Sequence, residues 1–418
     1  MKLAVVLVID GLGAGHLGPY GNTWINTPAF NRLASRGCLF ERVLGDTSDV
    51  RLLYRSFWQG LHALCPPAPE AQPRALVEEL ATAGVESVLI TDAPPVADHP
   101  LSARFSQQIA LPTPEAHEAD SIGQTHFARL LAVAAEEVSA AAGGLVWIHS
   151  IGMYGPWDAP QELRRSLADE DDPQPPDIVA PPSRTLPADV DPDERLGIVQ
   201  AYGGQVMAVD ACLEALLEVL EHSLSDGQTL LIVTGARGYP LGEHGGVGAA
   251  GRALYGEVLH LPLLIRRFDG QGAGVRSHAL VQPADIYAAL LDWFGAEASH
   301  RHWTSRPLAL TPDEAGGAGR ERACAADDRE QAILTPAWFL RCGRGASLPE
   351  AEAGGNWRPP CELFAKPDDY WEVNDVTSRG APVVEGLLAA LAEFERAAAS
   401  SRPPKLSPLA EILTSHVS

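Results

Sequence analysis

The sequence predicts an α/β protein whose mainly parallel sheet is covered by helices on both faces. Apolar runs bounded by turn residues alternate with helical patterns along most of the chain, and this alternation is typical of parallel sheets. The 418 residues, 46% of them hydrophobic, allow one large domain with a smaller one appended. We place the boundary near residue 315, so that residues 1–315 form the α/β domain and residues 316–418 a C-terminal α+β subdomain.

The predicted elements follow one another in a regular order. LAVVLVID is a buried strand, and the helices NTPAFNRLASRG and ALVEELATAG precede the strand VESVLITD. The helix THFARLLAVAAEEVSAA, the strand GLVWIHSI, a long helix that begins at IVQAYGG and the strand QTLLIVTGA continue the alternation. HLPLLIRR is a strand and PADIYAALLDWFG a helix. In the smaller domain, QAILTPAWFLRC and CELFAKPDDYWEVNDV are predicted to form strands, and APVVEGLLAALAEFERAAA a helix.

One long segment interrupts this order. Residues 156–194 are rich in proline and aspartate, and proline removes backbone donors and fixes φ, so regular elements are not expected there. The segment is predicted to be a long surface excursion.

Composition narrows the classes of partner and the cell compartment. The formal net charge is -23, with 54 acidic against 31 basic residues, so neither nucleic acid nor an anionic membrane is an expected partner. No apolar run reaches membrane-spanning length, and the N-terminus lacks a small-residue cleavage site. The six cysteines show no CxxC pair, which favours free thiols in a cytoplasmic protein.

The residues that follow the predicted strands carry a family resemblance. Ligands of open α/β sheets bind at the carboxyl ends of the strands, which here deliver VLVIDGLGAGHLGPYGNTWINTPAFNRLASRG, VWIHSIGMYGPWDAP, LLIVTGARGYPLGEHGG and LYGEVLHLPLLIR. In this order the stretches resemble the sulfatase family of the alkaline phosphatase-like superfamily, over nearly the whole chain. The resemblance implies an alkaline phosphatase-like α/β/α sandwich and descent from sulfuric ester hydrolases.

The resemblance also implies a nucleophile, and this chain departs from the family there. Family members convert Cys or Ser, in a Cys/Ser-x-Pro/Ala-x-Arg motif followed by Thr-Gly, into formylglycine, whose hydrate attacks the ester. With Gly60 set on the family's glycine, the nucleophile position falls on Val50 of TSDVRLLYRSFWQG. An isopropyl group cannot attack sulfur or phosphorus.

Other nucleophiles remain open as alternatives. Ser48 or Thr47 would serve if the loop is shifted by one or two residues, because relatives in the superfamily attack phosphate with Ser or Thr. Cys65 begins CPPAP, which has cysteine and proline at motif spacing but Pro69 in place of the arginine. Loop-capping roles are the simpler interpretation of both hydroxyls.

The metal site implied by the resemblance is also incomplete. The family holds a divalent cation, usually calcium, on two adjacent Asp after the first strand and on an Asp with Asn or His after a later strand. Here Asp10 is followed by Gly11, and the later pair falls on Ala236 and Arg237. A hard cation takes about six oxygen ligands, so Asp10 is interpreted as a vestigial ligand and no cofactor is expected; calcium is expected only if the site is active.

Two further catalytic groups are replaced. The histidine of the family's Pro-His-x-Pro aligns with Tyr154, and the lysine that precedes a Tyr-Glu pair aligns with Gly251. His149 and His244 remain near the strand ends, and His16 in the turn after the first strand; each is expected to be a buried or capping residue.

The replacements follow a charge pattern. The site has lost carboxylates and carries Arg237, Arg51, Arg55 and Arg252 nearby in the family alignment. Since a buried unpaired carboxylate costs several kcal/mol, we expect Arg237 to pair with Asp10 in place of the metal.

The sequence therefore predicts a catalytically inactive pseudosulfatase that binds an anionic small molecule or a protein partner. The competing prediction is an active sulfuric or phosphoric ester hydrolase with a rearranged site. A third is a scaffolding subunit, in which the aliphatic residues Val50, Leu52 and Leu53 pack the old cleft closed; an exposed apolar patch around LLYRSFW would instead indicate a partner surface.

Overall fold

The computed structural model describes residues 1–66, 74–223, 228–251, 253–299, 301–311, 319–345, 361–400 and 406–415. The strands, numbered in chain order, are β1 (Leu3–Gly11), β2 (Cys38–Val43), β3 (Ser87–Thr91), β4 (Gln107–Ala110), β5 (Gly144–Ser150), β6 (Arg184–Thr185), β7 (Thr229–Gly238), β8 (Gly246–Val247), β9 (Leu263–Arg267), β10 (Val275–Val281), β11 (Ala323–Ala326), β12 (Glu330–Leu334), β13 (Trp338–Gly343) and β14 (Cys361–Ala365). The helices are α1 (Pro28–Arg36), α2 (Val50–Gln59), α3 (Leu76–Thr82), α4 (Pro94–Ala97), α5 (His126–Ala140), α6 (Gln161–Arg165), α7 (Pro192–Ser223), α8 (Gly256–Leu259), α9 (Ala284–Phe294) and α10 (Ala381–Ala398).

The large sheet has eight strands in the order β10-β2-β9-β7-β1-β5-β3-β4. β1 pairs in parallel with β5 and β7, while β9 runs antiparallel to both β7 and β2. The predicted mainly parallel sheet is therefore confirmed, with one reversed strand. The sequence reasoning did not identify β2, β4 and β10 as strands; three of the four residues of β4 and three of the seven of β10 are exposed, and neither strand is a continuous apolar run.

Helices cover both faces of the large sheet. β1 is buried at every position, and its alternate side chains enter two separate cores. Leu3, Val5 and Leu7 pack with residues of α1, α5 and α7, whereas Ala4, Val6 and Val8 pack with residues of α2, α3 and α9. The fold is thus an alkaline phosphatase-like α/β/α sandwich. None of the described helices is long and apolar enough to span a membrane.

The Pro- and Asp-rich segment is not the purely superficial excursion that was predicted. Trp157 and Arg164 are fully buried, and α6, which contains Arg164, packs against α7. The Arg164 guanidinium donates to the carbonyl of Pro176 at 3.1 Å and to that of Trp157 at 2.5 Å. One buried side chain thereby satisfies carbonyls in a stretch where prolines prevent regular backbone pairing.

The C-terminal part contains a second sheet, as predicted. β11, β12, β13 and β14 form an antiparallel meander in that order. One face packs under α10, and the other packs on Leu254, Tyr255, Val258 and Leu259 of the large domain. The predicted boundary at residues 315 and 316 lies outside the described residues.

Candidate functional site

The carboxyl ends of β1 and β7 deliver the first two side chains of the site. Asp10 lies next to the last residue of β1, and Arg237 lies next to the last residue of β7. β1 and β7 are paired in parallel up to these ends. The register shifts between Ile9 and Gly11, so that Gly11 pairs with Gly238. The parallel pairing explains why residues 227 positions apart in sequence meet at one edge of the sheet.

Arg237 and Asp10 form the bidentate ion pair expected from the sequence. Arg237 Nε donates to Asp10 Oδ1 and Nη2 donates to Oδ2, both at 3.0 Å, while Nη1 donates to the carbonyl of Ser48 at 3.0 Å. The guanidinium carbon lies 4.0 Å from the centre of the Tyr154 ring, and the Tyr154 hydroxyl donates to Gly238 O at 3.2 Å. Burial lowers the pKa of Arg237, but Asp10 together with the nearby Tyr154 and Asp49 outweighs burial and raises it, so the guanidinium stays charged.

The donor set at this position does not fit the divalent cation that the resemblance implies. Both Asp10 oxygens face the guanidinium, and Ala236 contributes only a methyl group. A Cβ at Gly11, where φ is +80°, would lie 2.7 Å from Met153 Cβ, so a second carboxylate has no room there. Across the described ranges, no group of three or more His, Cys, Asp or Glu side chains is arranged to hold a metal. We therefore derive no step through a metal ion.

Val50, at the nucleophile position of the family alignment, is the first residue of α2. Its side chain is 8% exposed and packs in the core beneath the helix together with Leu53. Asp49 caps the helix, with Oδ1 accepting from Arg51 N at 2.7 Å and from Leu52 N at 3.4 Å. The rings of the LLYRSFW stretch are buried, so α2 does not expose the apolar patch considered above.

The alternative nucleophiles have structural contacts. Ser48 Oγ donates to Asp327 Oδ2 at 3.2 Å, and Thr47 Oγ1 accepts from the amide of Asp49 at 3.2 Å. Burial raises the pKa of the Cys65 thiol to about 12, which keeps it protonated. Of the three, Ser48 alone has a carboxylate within hydrogen-bonding distance among these contacts.

His149 lies in a buried aromatic cluster beside α2. Its Nδ1 is 2.6 Å from the Tyr54 hydroxyl, which also accepts from Trp147 Nε1 at 3.4 Å. The direction of the bond between Tyr54 and His149 depends on which ring nitrogen carries the proton. Burial lowers the pKa of His149 to about 3, with a smaller contribution from the charge of Arg237. The imidazole is neutral and fits the predicted structural role.

His244 has carboxylate neighbours that the sequence reasoning did not find. Its Nδ1 is 2.9 Å from both oxygens of Glu257, and its Nε2 donates to Glu372 O at 3.0 Å. The ring stacks on Tyr255 with centroids 3.6 Å apart. Burial lowers the pKa of His244, but the hydrogen bond and charge of Glu257 together with those of Glu372 outweigh burial and raise it to about 9. A charged His244 thus links the large domain to the C-terminal segment.

The other residues predicted for the site lie away from the Arg237–Asp10 pair or outside the described residues. Arg51 is exposed, and Arg55 donates to Pro66 O at 3.3 Å. Arg252 lies outside the described residues. His16 packs edge-on against Tyr202, with ring centroids 4.7 Å apart.

Sequence reasoning missed a cavity of about 360 Å³ between the loop after β1 and the C-terminal sheet. Tyr370 and Trp371, which are 36% and 47% exposed, form one wall. Its other lining residues include His16, Glu41, Arg42, His260, Arg276, Phe339, Lys366 and Glu372. The adjacent aromatic pair in KPDDYWEV was the available sequence signal, because exposed tryptophan and tyrosine are common at binding surfaces.

Most charges that line this cavity are paired with each other. Arg276 pairs with Glu41 at 2.8 Å, and Lys366 pairs with Glu372 at 2.8 Å. Arg42 is half-buried, and its side chain makes neither an ion pair nor a hydrogen bond with another described residue. Glu257, the third carboxylate of the lining, is bonded to His244, so Arg42 is the basic lining residue that no described carboxylate pairs with.

Comparisons with known proteins agree with this architecture. The sulfatase family profile matches residues 96–296. An N-acetylglucosamine-6-O-sulfatase of Bacteroides thetaiotaomicron is 34% identical over 96 residues, which are 23% of this chain and 17% of that relative.

Solved structures with the same fold cover nearly the whole chain. A phosphonate monoester hydrolase of Agrobacterium radiobacter is 18% identical, with 95% of this chain and 96% of that chain covered and a TM-score of 0.74. A protein solved in complex with its substrate D-glucosamine-2-N,6-O-disulfate is 15% identical, with 96% and 99% covered and a TM-score of 0.75. Identities this low show a shared fold alone.

Proposed function

Because this chain belongs to the sulfatase family of the alkaline phosphatase-like superfamily, we propose that it is an inactive member, a pseudosulfatase, that binds an anionic small molecule without hydrolysing it. The bidentate Arg237–Asp10 pair carries this proposal. The pair supports a site in which the Arg237 guanidinium stands in the place of a Lewis-acid metal ion.

The Arg237–Asp10 pair balances the charge of Asp10, but it supplies neither a nucleophile nor an acid. A guanidinium neutralises Asp10, but it is held by Asp10 and by the carbonyl of Ser48 and does not generate a nucleophile from water. Val50 offers no attacking atom. Binding needs only donors in place, whereas turnover also needs a nucleophile and an acid.

The cavity beside Trp371 is the better candidate for the ligand than Arg237, whose charge Asp10 already balances. Arg42 supplies a positive charge, and Tyr370 and Trp371 supply rings on which an apolar or cyclic body can stack. The cavity volume of about 360 Å³ lies within the usual range for small-molecule sites. An organic anion with a ring therefore matches its lining.

A second candidate function rests on Ser48. Its hydroxyl donates to Asp327 at 3.2 Å, and a carboxylate in this position is able to act as a general base. In this alternative, the chain is an active sulfuric or phosphoric ester hydrolase with a rearranged site.

Hydrolysis assays with aryl sulfate and aryl phosphate separate the two functions. We expect no turnover above background from the metal-supplemented parent chain, from Ser48→Ala, or from Val50→Cys coexpressed with a formylglycine-generating enzyme. Turnover by the parent that disappears in Ser48→Ala would establish the hydrolase. Turnover by Val50→Cys alone would show that only the nucleophile had been lost.

Calorimetric titration with para-nitrophenyl sulfate tests the binding site. We expect Arg42→Met to weaken binding about tenfold or more, the usual effect of removing a charged hydrogen-bond partner. Arg51→Met is the matched control, since Arg51 is an exposed arginine away from the cavity lining. Equal affinity of Arg42→Met and the parent would rule out the cavity as the anion site.

A further inference from the structure

Two of the six cysteines lie opposite each other in the C-terminal sheet. Cys342 of β13 and Cys361 of β14 are partners in an antiparallel register, and both are buried free thiols. The two side chains are in hydrogen-bonding contact. Sequence spacing gives no sign of this pairing, because the antiparallel pairing of β13 with β14 brings the two residues together.

The backbone around Cys361 identifies the type of strand pair. At Leu363, two residues further along β14, the amide donates to Thr377 Oγ1 at 2.9 Å and the carbonyl accepts from Val376 N at 2.9 Å. These groups point away from β13, and the orientation repeats every second residue, as the bond from Thr377 Oγ1 to Cys361 O at 3.4 Å also indicates. Cys342 and Cys361 therefore form a non-hydrogen-bonded pair.

Such pairs have the separation that a disulfide requires. The Cα atoms of a non-hydrogen-bonded antiparallel pair are roughly 4.5 Å apart, which lies at the short end of the range of about 4.4 to 6.8 Å found across disulfides. We propose that Cys342 and Cys361 are a reversible dithiol/disulfide pair that a low-molecular-weight disulfide oxidises.

The exchange balances in two steps. The Cys342 thiolate attacks one sulfur of the reagent, so that a mixed disulfide forms and half of the reagent leaves as a thiolate. That thiolate takes up a proton, the Cys361 thiol loses its proton to solvent and attacks Cys342 Sγ, and the second half leaves as a thiol. The protein loses two electrons and two protons, and the reagent disulfide is reduced to two thiols.

The two thiols differ in the way this order of attack requires. Contact with Cys361 lowers the pKa of Cys342, and the same contact raises the pKa of Cys361. Cys342 is therefore the thiolate that forms first. Cys361, at the start of the edge strand β14, is the resolving thiol.

The bond would join β14 to β13 and close residues 343–360 into a covalent loop. Cross-linking a loop of this length restricts the unfolded chain. We expect the oxidised protein to melt roughly 3 °C above the reduced protein. β14 leads directly to Lys366 and Tyr370, which line the cavity.

Thiol counting on the full chain tests the pair. The reduced protein is incubated with oxidised glutathione, its thiols are titrated with Ellman's reagent after denaturation, and its peptides are mapped without reduction. We expect the count to fall by two from six, with one link between Cys342 and Cys361. Cys324→Ala is the matched control, because Cys324 faces the same core from β11; this variant should form the same link. Cys361→Ser should form none.

Two outcomes would overturn the proposal. One is that the parent retains six thiols, including in urea just below its unfolding midpoint, where buried thiols become accessible. The other is a link between any other two cysteines. The parent's own peptide map decides the question even if Cys361→Ser does not fold.

Discussion

At the residue scale, a side-chain cation takes the position that the family resemblance assigns to a metal. Asp10 is 5% exposed, so its charge needs a nearby partner in either case. A metal would need several carboxylates, whereas an arginine matches one carboxylate with two parallel donors. The Asp10–Arg237 pair is therefore balanced without a second carboxylate at Gly11.

The first prediction concerns this pair. Arg237→Met leaves the buried Asp10 carboxylate unpaired, and we expect it to lower the free energy of unfolding by about 3 to 5 kcal/mol. Asp10→Asn combined with Arg237→Met should recover part of this loss, because the charge is removed along with its partner. Urea denaturation followed by circular dichroism measures both.

Arg51→Met is the control for this experiment, since Arg51 is exposed and its loss should change stability by less than about 0.5 kcal/mol. If Arg237→Met destabilises no more than Arg51→Met, then the ion pair does not compensate Asp10.

At the element scale, α2 is a helix whose two ends are fixed by specific residues. Asp49 caps its N-terminus, and Gly60 ends it with φ +66°, where an added Cβ would lie 2.8 Å from Tyr287 Cδ1. The two ends fix the helix, and Leu53, Tyr54 and Phe57 bury one side of it. The stability of α2 therefore rests on its two caps and its buried side.

The second prediction follows from the cap. Asp49→Ala removes the side chain that accepts from the first helical amides, and we expect a loss of about 1 kcal/mol in the free energy of unfolding. Asp49→Asn keeps an accepting oxygen and should be nearly neutral. Equal losses in both variants, measured by thermal and urea denaturation, would mean that the charge of Asp49 near Arg237 matters more than the cap.

The sequence predicted most of the elements whose pattern is continuous. β1, β5 and β7 were recognisable because both of their faces are buried and their sequences are unbroken apolar runs. The pairing of Asp10 with Arg237 was also predictable, since both follow parallel strands and carry opposite charges.

Other features of the fold and the site could not be predicted, because they depend on contacts that a local sequence pattern does not show. β10 lies at the edge of the sheet, and its exposed and buried residues do not alternate regularly. Arg164 looks like a surface residue of a proline-rich stretch, yet it is fully buried and donates to carbonyls on both sides of it in the same stretch. His244 contacts Glu257 of the neighbouring helix α8, and it contacts Glu372 only because the C-terminal segment folds back.

At the scale of the whole molecule, a polar network joins the two sheets. Glu372 accepts from Gly256 N at 2.6 Å and pairs with Lys366, while its carbonyl accepts from His244. His244 belongs to the large domain and Glu372 to the C-terminal segment, so the charge of one histidine supports the contact between them. The stability of the molecule should therefore depend on the protonation of this histidine.

The last prediction is the pH dependence that results. The pKa of His244 is raised to about 9 in the folded protein, against about 6.5 when unfolded. Its contribution is therefore fully present below pH 6.5 and is lost as the pH rises through 9. His149 acts in the opposite sense, because its folded pKa of about 3 makes its contribution to stability complete above pH 6.5 and smaller as the pH falls.

Urea denaturation from pH 4 to pH 10 measures both effects on the free energy of unfolding. His244→Gln should flatten the decline of stability at alkaline pH and leave the decline at acid pH unchanged, whereas His149→Gln should do the reverse. An alkaline decline of the same steepness in His244→Gln would show that another group controls the contact between the sheets.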